Sequence, residues 1–187
     1  TYALFDDRVR NAVRLSVEDA RTALAARYVA SHGPVTIRDF VWWSGLTVGE
    51  AKRAFEAVSP ALGHERIGED TYWSPPTEPK ATRRDVPPVH LMPNYDEYFI
   101  AYRDRRPTAA LLPPNAPADP LDSFAHLLCV EGRVGGFWRR TIGARAVHVE
   151  LLPYRTLSRA HRAAAKEAAE RYAAFLGLPL TIAERPA

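Results

Sequence analysis

The segment Pro34-Val-Thr-Ile-Arg-Asp-Phe-Val-Trp-Trp-Ser-Gly-Leu-Thr-Val-Gly-Glu50 decides the fold, because it holds two helix starts eleven residues apart. Thr36 and Thr47 each place a hydroxyl at a helix N-cap. Asp39 and Glu50 follow three residues later, where a carboxylate can return the hydrogen bond in a capping box. Between them Ser44-Gly45-Leu46 predicts a tight turn. Downstream, His64–Ile67 and Thr71–Trp73 flank Gly68-Glu69-Asp70, which predicts a hairpin with a three-residue loop.

Working outward, Ser16 starts an earlier helix with an apolar stripe of Val17, Ala20, Leu24 and Tyr28, ending near Gly33-Pro34. The stripes of the next two helices are Ile37, Phe40, Val41 and Ser44, then Val48, Ala51, Phe55 and Val58. Single stripes on short helices are buried only against each other and the hairpin, so residues 1–74 form one small domain. Helix, turn, helix and hairpin in that order predict a winged helix-turn-helix.

Residues 75–89 change character: Pro75, Pro76, Pro79, Pro87 and Pro88, with Lys80, Arg83 and Arg84 among them, predict a linker. Residues 90–187 form a second domain. There Asn94 is expected to cap a short helix carrying Tyr95, Tyr98, Phe99 and Tyr102, and a loop with Pro107, Pro113, Pro114, Pro117 and Pro120 follows. Strands are expected at 125–130, 133–139 and 146–152, the first two joined at Glu131-Gly132. A helix opened by Ser158 and closed by Gly177 comes next, then a last strand at 178–182. The fold class is α+β: a winged helix-turn-helix followed by a small antiparallel sheet with a covering C-terminal helix.

With 47% apolar residues over 187 positions the chain can bury a real core. No apolar run is long enough to span a bilayer, so no membrane partner is expected. The single Cys129 excludes an internal disulfide framework and fits a reducing, cytoplasmic compartment. The chain begins at Thr1 and goes straight into apolar sequence, which suggests a piece of something longer. Its charge is uneven: residues 1–79 carry 9 Lys/Arg against 11 Asp/Glu, and residues 80–187 carry 16 against 11. Attraction to phosphate is therefore expected mainly from the second half.

The candidate contacts to double-stranded DNA follow from this layout. Thr47 starts the third helix, whose outer side presents Gly49, Lys52, Arg53 and Ala57, with Glu50 and Glu56 beside the cations. Arg66 lies near the hairpin tip, among Glu65, Glu69 and Asp70. The second half offers Arg103, Arg105 and Arg106 after the Tyr-rich helix, then Arg139 and Arg140 beside Trp138, and Arg159, Arg162 and Lys166 on the last helix. The strand-end arginines have no acidic neighbour in sequence, whereas Lys52 and Arg53 do. Trp42 sits opposite its helix's apolar stripe and is expected to face a partner surface, the second domain in particular.

Catalytic chemistry is sparse. Asp96 and Glu97 fit helix-start roles better than an acid/base pair. Cys129 lies in an apolar strand, and the six histidines show no metal-ligand spacing. No catalytic residue, metal or cofactor is assigned.

The runs Val35-Thr-Ile-Arg-Asp-Phe-Val-Trp-Trp-Ser-Gly-Leu-Thr47, Leu91-Met-Pro-Asn-Tyr-Asp-Glu-Tyr-Phe-Ile-Ala-Tyr-Arg-Asp-Arg105 and Gly136-Phe-Trp-Arg-Arg-Thr141 resemble bacterial winged-helix DNA-binding proteins of the group that includes the DNA interstrand-crosslink-repair glycosylases. The resemblance implies several winged helices in tandem before a β-rich C-terminal domain, with this chain the later part and an N-terminal domain of the same polypeptide as partner. Glycosylases of the group use a Gln-hydrophobic-Gln or Gln-hydrophobic-Asp motif near their N-terminus. This sequence contains no glutamine, so no residue here inherits that role. Three readings stand: a largely backbone-directed DNA-binding fragment, the binding half of a glycosylase, or a protein-interaction module with a non-reading winged helix.

Overall fold

The computed structural model describes residues 2–9, 12–76, 86–108 and 126–185. The expected positions Pro79, Lys80, Arg83, Arg84, Pro113, Pro114, Pro117 and Pro120 lie outside the described residues. The chain divides into two compact units, Thr1–Pro79 with Ala101–Arg103, and Lys80–Ile100 with Asp104–Ala187.

The first unit contains α1 (Phe5–Arg8), α2 (Val17–His32), α3 (Ile37–Ser44) and α4 (Val48–Val58), then β1 (Gly63–Ile67) and β2 (Asp70–Ser74). The helix starts form as their sequences dictate. Ser16 accepts the Asp19 N–H at 3.1 Å, and both capping boxes close, Thr36 with Asp39 and Thr47 with Glu50. Gly45 takes a left-handed φ of 72° between α3 and α4, a conformation that costs glycine least. In the hairpin Ile67 pairs directly with Asp70, so the loop is the two residues Gly68-Glu69 rather than the expected three. Val35 and Trp73 exchange backbone hydrogen bonds of 2.9 and 2.7 Å, which anchors the hairpin to the chain just ahead of α3.

The core of this unit is aromatic. Tyr28, Phe40 and Phe55 are buried, and Trp43 and Trp73 pack on them. Two expected stripes shift. On α2 the buried residues are Ala25, Tyr28 and Val29, while Val17 is exposed; on α4 Ala54 is buried and Val48 is exposed. Ala20 and Leu24 of the expected α2 stripe are exposed as well, so of that stripe only Tyr28 reaches the core. Residues 101–103 complete the unit. The Tyr28 hydroxyl donates to the Ala101 carbonyl at 2.9 Å, and the Tyr102 hydroxyl donates to the His32 carbonyl at 2.8 Å.

The second unit holds β3 (Val89–Leu91), α5 (Glu97–Ile100), β4 (His126–Val130), β5 (Arg133–Ile142), β6 (Val147–Pro153), α6 (Arg159–Leu176) and β7 (Leu180–Glu184). The five strands lie in chain order. The first three pairings are antiparallel and the last, β6 with β7, is parallel. The expected antiparallel sheet is therefore mixed. The cause is α6: an 18-residue helix runs about 27 Å back along the sheet and returns the chain to the end where β6 began.

Five alanines of α6 (Ala164, Ala165, Ala168, Ala169 and Ala173) are buried, together with Leu128, Val130, Trp138, Val147, Val149 and Leu151 of the sheet. Small side chains let the helix axis lie close to the strands. On the other sheet face Leu127, Cys129 and Val134 cluster with Phe99, Met92, Phe137 and Tyr154. Two expectations fail here. β3 starts at Val89, the last residue of the expected linker. α5 starts at Glu97 because Asp96, not Asn94, receives the N–H of Tyr98 (3.0 Å), and Tyr95 sits at φ 59°. The helix ends at Ile100, so Tyr102 joins the first unit instead of a tyrosine stripe.

Candidate nucleic-acid interface

The outer side of α4 is built on its cap. The Thr47 hydroxyl accepts the Glu50 N–H and donates to Glu50 Oε2 at 2.7 Å, and the Thr47 N–H reaches the same oxygen at 2.8 Å. The Thr47 donor is thus committed to the cap. Glu50 Oε1 pairs with Arg21 of α2, whose guanidinium also holds Glu18 at 2.8 Å. Thr47's hydrogen bonds first, and the Arg21 charge after them, hold the Glu50 carboxyl below the usual carboxylate range.

Glu50 pairs with Arg21 of α2 while its charge still acts on Arg53; Lys52, Arg53 and Glu56 are exposed. Arg53 lies along the helix, its Nη1 3.8 Å from where a Cβ on Gly49 would stand. A methyl at 49 would meet the guanidinium at ordinary van der Waals distance. On the hairpin, Arg66 is exposed and its Nε donates to the Gly68 carbonyl at 3.4 Å, while Asp70 faces Arg38 at 4.0 Å. Trp42 is 54% exposed, as its position opposite the apolar stripe implies.

Arg103 belongs to the first unit, and its backbone N–H donates to Asp39 Oδ1 at 2.8 Å. Arg105 and Arg106 lie in the second, so the expected arginine cluster spans two units. Arg106 is held bidentately by Asp104, which depresses the Asp104 carboxyl.

The remaining candidates of the second unit are more committed than their sequence neighbours suggest. Arg139 and Arg140 are consecutive on β5 and so point to opposite faces of the sheet. Arg139 is paired with Glu150 in the strand register, and the Glu150 carboxylate is engaged by Arg185 at 3.1 Å. Arg140 lies over Trp138 and Tyr172 at 5.7 and 5.8 Å and contacts His126. Desolvation, and then the Arg140 charge, lower the His126 pKa. Trp138 is only 4% exposed and donates its indole N–H to Met92, so it is core and not a platform for a base.

On α6, Arg159, Arg162 and Lys166 line one shallow groove of about 340 Å³ floored by Leu151 and Ile182. Arg162 is bound by both oxygens of Glu184, at 2.6 and 3.2 Å, and Lys166 by Glu170 at 3.5 Å. The absence of acidic residues beside these arginines in sequence does not carry over to space. Arg21 was missed as a member of the site because nothing local to it marks a partner 29 residues away. Among the described residues no His, Cys, Asp or Glu group is arranged to hold a metal ion, and no helix is long and apolar enough to cross a membrane.

Lys52, Arg53 and Arg66 are exposed on the helices and hairpin of the first unit, and the mixed sheet of the second unit carries further arginines. The chain belongs to the DNA glycosylase AlkZ-like family, whose model matches residues 1–175. Its fold is similar to that of the Streptomyces sahachiroi DNA glycosylase AlkZ, with a TM-score of 0.62 over 92% of this chain at 18% identity. At that identity the likeness is one of fold. The chain spans 48% of that protein's length. No curated protein sequence matches it.

Proposed function

We propose that this chain is the DNA-holding part of a DNA-repair glycosylase: a winged helix-turn-helix joined to a sheet domain that grips duplex DNA through its backbone. The observation that supports this best is the α4 face, where Lys52 and Arg53 are exposed and Arg21 shares the charge of Glu50. With Arg21 offsetting part of the Glu50 charge, these cations exert more of their field on a phosphate, and Arg66 extends the surface along the hairpin. Family membership supports DNA as the partner. Base excision is not assigned to these residues, since the sequence has no glutamine to fill the family's catalytic motif.

Fluorescence anisotropy with a labelled duplex across a salt series tests the reading. Binding is expected in the non-specific range, about 10⁻⁴–10⁻⁶ M at physiological salt, weakening steeply as salt rises. Lys52→Ala/Arg53→Ala is expected to flatten the log–log salt slope by about 1–2, one counterion for each lost phosphate contact. A silent pair, with binding abolished instead by Arg139→Ala/Arg140→Ala, would move the interface to the sheet and overturn the α4 assignment.

Trp42 favours a second reading, a protein-interaction module, because a half-exposed indole on a helix surface suits a partner of its own. Loss of partner capture in Trp42→Ala with unchanged DNA affinity would support that reading.

A further inference from the structure

A cleft of about 890 Å³ opens in the second unit where β3, the β4–β5 turn and the start of α6 converge. That volume accommodates a whole small molecule. Its walls include Pro87, Met92, Val130 and Leu157, which offer an apolar body a dry surface. Among the described residues, the charged groups in its lining are Arg133, Arg155 and Glu131. Glu131 is already engaged, since its Oε1 meets His161 Nε2 at 3.2 Å. The guanidinium groups of Arg133 and Arg155 are exposed, and neither has a hydrogen bond or ion pair with another described residue. Two guanidiniums against one carboxylate leave the cleft with a formal excess of one positive charge.

A second observation points the same way. The Tyr154 hydroxyl, in the wall of the cleft, is closed off from solvent and has no hydrogen-bond partner among the described residues. Native structures rarely leave such a hydroxyl unmatched. None of these residues belongs to the α4 surface.

We propose that this cleft binds a small organic monoanion, an aromatic or branched apolar body carrying one carboxylate, sulfonate or phosphate-type group. The apolar walls take the body, Arg133 and Arg155 take the anionic group bidentately, and the excess of one positive charge selects a single negative one.

The probe is 8-anilinonaphthalene-1-sulfonate, an aromatic monoanion, titrated by fluorescence into the full chain. Its uncharged relative N-phenyl-1-naphthylamine serves as comparison. One saturable site is expected, with the neutral probe about tenfold weaker or worse, the factor a charge-assisted contact supplies. Arg133→Ala/Arg155→Ala is expected to weaken the anionic probe to the level of the neutral one. Thr156→Trp, which fills the cleft from its exposed rim, is expected to abolish both. Arg159→Ala/Arg162→Ala, on the other groove, leaves binding unchanged. Circular dichroism confirms that each variant remains folded.

Absence of a saturable site, equal binding of the two probes, or binding indifferent to Arg133, Arg155 and Thr156 overturns the proposal. So does displacement of the probe by an equimolar duplex, which would assign the two arginines to a DNA backbone instead.

Discussion

The Asp39 carboxylate joins the start of α3 to the backbone of Arg103: Oδ2 accepts the Thr36 N–H at 2.9 Å, and Oδ1 accepts the Arg103 N–H at 2.8 Å. Asp39 is 5% exposed, so its charge is tolerated because backbone donors surround it. One residue thus caps a helix and fastens residues 101–103 to the first unit. Asp39→Ala is expected to cost about 2–4 kcal/mol, since it leaves buried donors unmatched at both places. Asp39→Asn keeps one acceptor and is expected to fall between. Urea unfolding followed by tryptophan fluorescence measures both, and an Ala variant as stable as the parent would show the clasp to be incidental.

Glu50 gives the first unit a dependence on acid. Its carboxyl is depressed by Thr47 first and Arg21 after, so the stabilisation is fully present above the ordinary carboxylate range. It is lost as pH falls through the folded value below that range. Melting temperature is expected to drop on acidification below about pH 4.5, the ordinary glutamate region. Glu50→Gln is expected to melt lower at neutral pH and to show a shallower acid dependence. Parallel curves for the two proteins would remove Glu50 from the cause.

Burial pushes the Cys129 thiol up to about 11. At pH 8 only about one molecule in a thousand would carry a thiolate there, and its side chain is 1% exposed. Ellman's reagent is expected to label the native chain at least about a hundredfold more slowly than the chain in denaturant. Fast native labelling would place the thiol outside the Leu127–Val134 cluster.

Gly136 sits at φ 153° in β5, and a Cβ there would stand 2.6 Å from the Cα of Pro153 and against the Leu152 carbonyl. Those are backbone atoms of the paired strand and have no rotamer to yield. Gly136→Ala is expected to destabilise the second unit by about 2 kcal/mol or more, through strain and a displaced β6. An unchanged thermal midpoint would mean that the strands part at little cost.

Signals confined to a single turn were legible in the sequence. The caps at Ser16, Thr36, Thr47 and Ser158, the glycines that end α3 and α6, and the Glu131-Gly132 turn all stand where local chemistry puts them. A cap or turn depends on atoms within about four residues, and those neighbours are fixed by the chain itself. The opposite facing of Arg139 and Arg140 was equally open to reading, because alternation is a property of any strand. The choice of partner was not. Arg21 selects Glu50 across 29 residues, Arg162 selects Glu184 across 22, and Asp39 selects the Arg103 N–H across 64. The parallel entry of β7 also depended on where α6 came to rest. Hydrogen bonds act over about 3 Å and screened Coulomb attraction over about 10 Å, so which charges remain available to a ligand was decided only when packing brought distant segments together.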